Sequence, residues 1–208
     1  MKLLAISDEV VPQIYSADLI QRFIDVDMVV SCGDLPLHYL EFIASSLNAP
    51  YLYVKGNHDL YEIHEDGNHP YDPQGWTDLN LHRVSIHGLV LAGLGGCLRY
   101  KPHAPMQYTQ SEQWMRAIWL ARTMLPRYIA GDRAVDVLVT HAPPYGIHDG
   151  PDQAHLGFHA YNWLIKVFKP RLLLHGHQHS NYAPLRPVET VIDGTRILNV
   201  HPYRVIEL

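Results

Sequence analysis

Cysteine is nearly absent: Cys32 and Cys97 are the only two in 208 residues. Both sit in apolar or glycine-rich surroundings and read as buried free thiols rather than a disulfide framework. Positive charge is also scarce, 16 Lys and Arg against 21 Asp and Glu, for a formal net charge of -5. That balance excludes a general cationic surface for nucleic acid, while leaving room for a local pocket that grips one phosphate group. Long apolar runs are missing as well, so no membrane partner is expected. Met1 to Ile6 is too short for a secretory segment and is interrupted at once by Ser7, Asp8 and Glu9, which points to the cytoplasm. Neither an internal repeat nor a low-complexity linker divides the chain. With 47% apolar residues, positions 1–208 are expected to form a single domain of ordinary size.

Histidine, by contrast, is abundant, and it falls in a pattern with other metal-ligand residues. Five short segments, each at the end of an apolar run, are built from such residues: Ser7-Asp8-Glu9-Val10, Gly33-Asp34, Gly56-Asn57-His58-Asp59, Thr140-His141 and Gly176-His177-Gln178-His179. Carboxylate, amide and imidazole groups converging from several strand ends can hold one or two divalent cations.

Periodicity supplies the scaffold. Lys2 to Ser7, Asp27 to Cys32 and Tyr51 to Lys55 read as buried strands, with helix-spaced residues between them at Ala17 to Ile24 and Leu37 to Leu47, the latter opened by Pro36 in the first turn. Strand-helix-strand repetition predicts a parallel sheet whose ligands gather at the carboxyl ends of its strands. Tyr61 to Gln74 is polar and reads as a surface loop. Leu81 to Leu94 reads as a hairpin turning near His87-Gly88, followed by a close backbone approach at Gly93 to Gly96. Thr109-x-x-Glu112 has the form of a capping box, opening a helix whose apolar stripe is Trp114, Ile118, Trp119 and Leu125 and whose end is Pro126. Val135 to Val139 leads into His141. A last helix around Tyr161 to Phe168 precedes the strand Arg171 to Leu174, and Asp193-Gly194 turns between Thr190 to Ile192 and Arg196 to Val200.

Strand alternation predicts that His177 and His179 point to the same side, while Gly33 lets the backbone turn tightly beside the Asp34 carboxylate. Asn57 offers a neutral carbonyl oxygen and His141 a further nitrogen. Taken one at a time these residues are weak signals, since a solitary Gly-Asp is usually a turn. Together and in order, they resemble the calcineurin-like metallophosphoesterase family, whose pattern runs D-x-H, G-D, G-N-H-D or G-N-H-E, a separate His, and G-H-x-H. Thr140-His141-Ala142-Pro143-Pro144, His155-Leu156-Gly157 and Thr195 to Asn199 further resemble its smaller bacterial-type phosphodiesterases.

The resemblance implies an α/β fold, a four-layer α-β-β-α sandwich of two mixed sheets with the metal site at the strand ends. It also implies that Asp34 bridges two ions, with Asn57, His141 and His177 completing one site and Asp8 and His179 belonging to the other. The ions would be manganese, iron, zinc or similar. Val10 stands where the family's D-x-H has its histidine, leaving the second site a ligand short; a water or a histidine from the His64 to His69 segment could fill the gap, although solvated loop residues are the plainer reading of those two histidines. Glu9 is a poor substitute, because alternation turns it away from Asp8.

The implied chemistry is hydrolysis of a phosphate ester by metal-activated hydroxide. His58 is the candidate for protonating the leaving oxygen, with Asp59 the residue that could orient it. Gly33-Asp34 runs into Leu35, Pro36, Leu37 and His38 with no arginine, which favours a phosphodiester over a monoester dianion. Arg99 and Lys101 are weighed between solvated surface groups and contacts to a substrate phosphate, and the tyrosines Tyr100, Tyr108 and Tyr145 between core residues and platforms for a nucleotide base. The rival reading is a degenerate family member that binds a nucleotide or phosphorylated ligand with little or no turnover.

Overall fold

The computed structural model describes residues 1–59, 72–179 and 189–208 in full, and the backbone of 61–64 and 67–70. In chain order its first half contains β1 (Lys2–Ile6), α1 (Leu19–Phe23), β2 (Met28–Ser31), α2 (Leu37–Ser46), β3 (Tyr51–Tyr53), β4 (Tyr61–His64), β5 (Gly67–Pro70), β6 (Trp76–Asp78), β7 (Arg83–Ile86) and β8 (Leu89–Leu94). Its second half contains β9 (Cys97–Leu98), β10 (Gln107–Tyr108), α3 (Gln110–Ile129), β11 (Val137–Thr140), α4 (His159–Phe168), β12 (Leu172–His175), β13 (Glu189–Ile192), β14 (Thr195–Asn199) and β15 (Tyr203–Glu207).

Two mixed sheets result. One runs β15-β1-β2-β3-β6, with only β15 antiparallel; the other runs β13-β14-β12-β11-β8-β7, with antiparallel β13 and β7 at its edges. The parallel strands are apolar on both faces because both are covered. Along β1, Leu3 and Ala5 join Val30, Leu52, Val139 and Leu174 in a core between the sheets, while Leu4 and Ile6 pack outward with Val29 against α1 and α2. Leu138 and Leu173 likewise face α3 and α4. The layers are therefore helix, sheet, sheet, helix, as expected. No helix among the described residues is long and apolar enough to cross a membrane.

Four local expectations are corrected. The polar stretch from Tyr61 contains the antiparallel pair β4 and β5 in addition to loop; such a ladder needs only backbone hydrogen bonds, so its sequence need not alternate. Pro36 lies at the N-cap of α2, one residue before the first turn, in extended conformation. Helix α3 opens on the expected capping box but continues through Pro126 to Ile129, since proline removes its own donor while its carbonyl still accepts from Ala130 N–H. Its buried face is Gln113, Ala117, Leu120, Ala121 and Met124, whereas Ile118, Trp119 and Leu125 are exposed. The two alanines let the helix approach closely, and Gln113 is satisfied inside by its amide donating to Tyr161 Oη at 2.6 Å.

The hairpin turns meet expectation. His87 and Gly88 have φ of 51° and 81°, and Asp193 and Gly194 have 51° and 84°, as two-residue turns matched to strand twist require.

Candidate metal centre

All five motifs sit just beyond the carboxyl ends of parallel strands: Asp8 after β1, Asp34 after β2, Asn57 after β3, His141 after β11 and Gly176 to His179 after β12. The two sheets place these ends side by side. At the join, Gly33 has φ of +96°, and a Cβ there would come within 2.4 Å of Gly56 N and 3.0 Å of His141 Nδ1. Only glycine fits that position.

Four atoms converge in the centre. Nε2 of His141 lies 3.1 Å from Asn57 Oδ1, 3.1 Å from His177 Nδ1 and 3.3 Å from Asp34 Oδ2. The hydrogen bonds around them decide where the protons are. His141 Nδ1 is 2.7 Å from Cys32 O, and a carbonyl oxygen only accepts, so Nδ1 carries the hydrogen and a neutral His141 turns a bare Nε2 inward. His177 Nε2 donates to Ala154 O at 2.7 Å by the same reasoning, leaving Nδ1 bare. Asn57 Nδ2 donates to Tyr100 Oη at 3.3 Å, which turns Oδ1 toward the cluster. With both rings neutral, four lone-pair donors thus face one another with no hydrogen between them. That arrangement repels itself unless a cation sits among them, and anchoring each imidazole through its other nitrogen is the usual support of a metal-binding histidine.

The field at the site agrees. Complete burial alone would lower the pKa of His141, yet the Asp34 carboxylate and its hydrogen bond, with Asp8, push it up to about 9. His177 goes the other way, to about 4, because burial and the neighbouring His141 disfavour a second positive charge. Burial works against the Asp8 carboxylate too, but contact with His179, the charge of His141 and a hydrogen bond from Ser7 bring it down to about 2. One positive charge at the centre is what these carboxylates favour, and a divalent ion satisfies them better than a proton.

Asp34, His141 and His177 form the only cluster of three such groups with ligand atoms within 4.8 Å of one another among the described residues, and Asn57 joins them. Asp8 and His179 lie on the same cavity, with Asp8 Oδ1 and His179 Nε2 3.6 Å apart. That cavity, of about 450 Å³, is also lined by His58, Tyr100, Ala154 and His155. His177 and His179 do reach it together, but not by strand alternation: β12 ends at His175 and His177 has φ of 63°.

Two sequence expectations change here. Asp8 has φ of 66°, so the chain turns away after it, and Val10 packs against the apolar cluster of α1 and α2 instead of sharing a face with Asp8. Asp59 does not orient His58. Its carboxylate accepts backbone N–H groups from Asp34 (2.5 Å), Leu35 (3.0 Å) and Gly56 (2.9 Å), locking the two ligand loops together. Burial and the nearby Asp34 carboxylate push Asp59 up to about 7, against the pull of the N–H donors. The side chains of His64 and His69, considered above as substitutes for the missing ligand, lie outside the described residues.

Sequence reading misses a second group of histidines. His175 Nδ1 donates to Gly176 O at 3.0 Å, so its neutral Nε2 accepts from His148 Nδ1 at 2.9 Å, and His148 Nε2 in turn accepts from Thr190 Oγ1 at 2.8 Å. No spacing announces this chain, because its members are distant in sequence. His155, which the sequence marks only as part of a segment resembling the family, has its Nδ1 held by both oxygens of Asp152, at 2.9 and 2.8 Å.

Comparison with known proteins places these features. A model of the calcineurin-like phosphoesterase family matches residues 1–181. An uncharacterized protein of Haemophilus influenzae is 29% identical over 153 residues, 63% of this chain and 62% of its own length, so the match spans about three fifths of that relative. One crystal structure superposes with a TM-score of 0.66 at 15% identity, covering 99% of this chain and 94% of its own. The structure of TT1561 of Thermus thermophilus gives a TM-score of 0.59 at 15% identity over 96% and 88% of the two chains. At such identity, these two likenesses concern the fold.

Proposed function

We propose that this chain, which belongs to the calcineurin-like phosphoesterase family, hydrolyses a small phosphodiester with the help of one or two divalent ions such as manganese, iron or zinc. The observation that carries the reading is the inward convergence of His141 Nε2, His177 Nδ1, Asn57 Oδ1 and Asp34 Oδ2, with each imidazole held from behind through its other nitrogen. A divalent cation bound there supplies a Lewis acid for a phosphoryl oxygen and acidifies a water at neutral pH. In this reading Asp8 and His179, with Asp34, hold a second ion. Positions 1–208 act as one unit in the cytoplasm, where Cys32 and Cys97, both buried and free, stay reduced.

The chain's own groups do the rest. Tyr100 fixes the Asn57 amide so that its oxygen faces the cluster. His58 lines the cavity while its backbone N–H donates to Asp34 Oδ1 at 2.8 Å, and in this reading its imidazole delivers the proton to the leaving oxygen. Among the described residues, neither lysine nor arginine lines this cavity. Among these residues a doubly charged monoester would find no cation beyond the metal, which supports the diester preference.

One rival reading, a binder of a nucleotide or phosphorylated ligand with little turnover, is favoured by Val10, which packs partly buried against an apolar cluster and leaves the second site without the family's histidine. Elemental analysis together with assays on bis(p-nitrophenyl) phosphate and p-nitrophenyl phosphate separates the two. Wild type is expected to retain metal and hydrolyse the diester faster, and His177→Ala or Asp34→Ala to lose metal and hydrolysis together. Full metal content and activity in either variant sinks the assignment; metal retention without turnover supports the rival.

A further inference from the structure

Basic side chains, absent from the metal cavity among the described residues, line a neighbouring cavity that shares Tyr100 with it. A second cavity, of about 380 Å³, is lined by Arg99, Tyr100, Lys101, Pro102, His103 and Gln153. Tyr100 lines both cavities, and its hydroxyl accepts from the amide of the ligand residue Asn57. The two hollows thus share one wall residue.

The floor of the second cavity is built, not loose. The buried Gln107 side chain accepts the backbone N–H groups of Tyr100 and Lys101 through one oxygen, at 3.2 and 3.1 Å. Gln153 closes the rim by donating to Arg99 O at 3.0 Å, and Asp152 beside it is turned to His155. Of the two basic side chains, Arg99 is already engaged: its guanidinium binds Gln107 O at 3.1 and 3.2 Å and the Glu112 carboxylate at 2.8 Å. Lys101 makes no ion pair among the described residues; its Nζ lies 5.6 Å from the centre of the Tyr100 ring. One uncompensated ammonium therefore faces a cavity next to a site that handles phosphate.

We infer that this cavity is a subsite for a second anionic group, a phosphate or carboxylate, carried by the same substrate as the scissile phosphoester, with Lys101 as its charge partner. The inference rests on the phosphoesterase reading and narrows it to phosphoesters with an anion on one arm. The test compares two inhibitors of equal length, butylphosphonate and 4-phosphonobutyrate, against hydrolysis of bis(p-nitrophenyl) phosphate. The phosphonate of each occupies the metal cavity, and only the second compound carries a carboxylate to the neighbouring one. In wild type, 4-phosphonobutyrate is expected to bind about fivefold more tightly, the upper range for one partly exposed ion pair. The gain should vanish in Lys101→Ala and return in Lys101→Arg. Equal inhibition by both compounds in wild type, or a gain that survives Lys101→Ala, overturns the inference. Calorimetric titration of both phosphonates into manganese-loaded protein keeps it separate from the reading it rests on. An affinity difference without diester hydrolysis supports the subsite and removes the hydrolase assignment; hydrolysis without an affinity difference does the reverse.

Discussion

Asp8 receives the backbone N–H of His177 on both carboxylate oxygens, at 3.2 and 2.9 Å, and both residues adopt the left-handed conformation, with φ of 66° and 63°. Asp34 shares it, at 58°. Non-glycine residues enter that region at a cost of about 1–3 kcal/mol each and stay there only when their surroundings insist. The peptide between Gly176 and His177 shows how they insist. Its N–H is held by Asp8, and its carbonyl by His175 Nδ1 at 3.0 Å and Gln178 N–H at 2.7 Å.

Gly176 is where this clamp is least tolerant. A Cβ there would lie 1.8 Å from Ser7 Oγ and 2.4 Å from Asp8 Oδ2. Gly176→Ala is expected to displace Asp8 from the His177 amide, to cost roughly 1–3 kcal/mol of stability through overpacking and to weaken metal binding. Thermal denaturation and metal titration check this; wild-type affinity in the variant would mean that Asp8 and the His177 loop move without consequence for the ligands.

Val10→His restores the family's D-x-H pattern on paper, yet Val10 packs with the apolar side chains of α1 and α2. The expected outcome is unchanged metal stoichiometry and a loss of roughly 1–3 kcal/mol from an oversized polar ring. Calorimetry decides it, and a rise toward one additional ion per chain would contradict the orientation of residue 10.

Acid should loosen the metal-free protein through the buried histidine pair. Burial holds His148 down to about 4 and His175, with the added effect of His148, down to about 3. Both pKa values lie below the unfolded value of 6.5, so folding favours the neutral rings. Their contribution is fully present above pH 6.5 and is lost as pH falls toward 4 and 3. Urea unfolding of chelator-treated protein should show lower stability at about pH 5 than at about pH 7. His148→Gln should be weaker at neutral pH but lose less between the two; a parallel loss in both proteins would clear His148 of responsibility.

His58 is expected to matter in proportion to the leaving group's need for a proton. Replacing it with Ala should slow hydrolysis of an alkyl phosphodiester by about 100-fold or more, the scale of general-acid catalysis, and a p-nitrophenyl diester far less. Equal losses on the two substrates would assign the residue to structure or metal binding, and His155, on the same cavity with Asp152 behind it, would become the next candidate.

Much of this protein is local information. The strand that ends in Asp8, the one that ends before Gly33-Asp34 and the one before His141 are apolar runs followed by polar punctuation, and the turns at His87-Gly88 and Asp193-Gly194 need only their own residues. Side-chain chemistry, likewise, makes Asp34, Asn57, His141 and His177 candidate ligands before any fold is known, and the resemblance to the calcineurin-like pattern is what groups them into one site. Where a decision depends on neighbours distant in the chain, sequence reasoning has no purchase. Period alone does not say whether α3 buries Trp119 or Ala117; the space left by the sheet and by Tyr161 does. Alternation is the wrong rule for residues 8 to 10 and 176 to 179, because a left-handed residue at Asp8 and another at His177 break the strand geometry, held there by hydrogen bonds between segments 169 positions apart. The same long-range packing brings His148, His175 and Thr190 into line and gives Lys101 and Asn57 a common neighbour in Tyr100. Residue types carry the capacity to bind a metal, but the directions of their lone pairs come from contacts that form only when both sheets have closed.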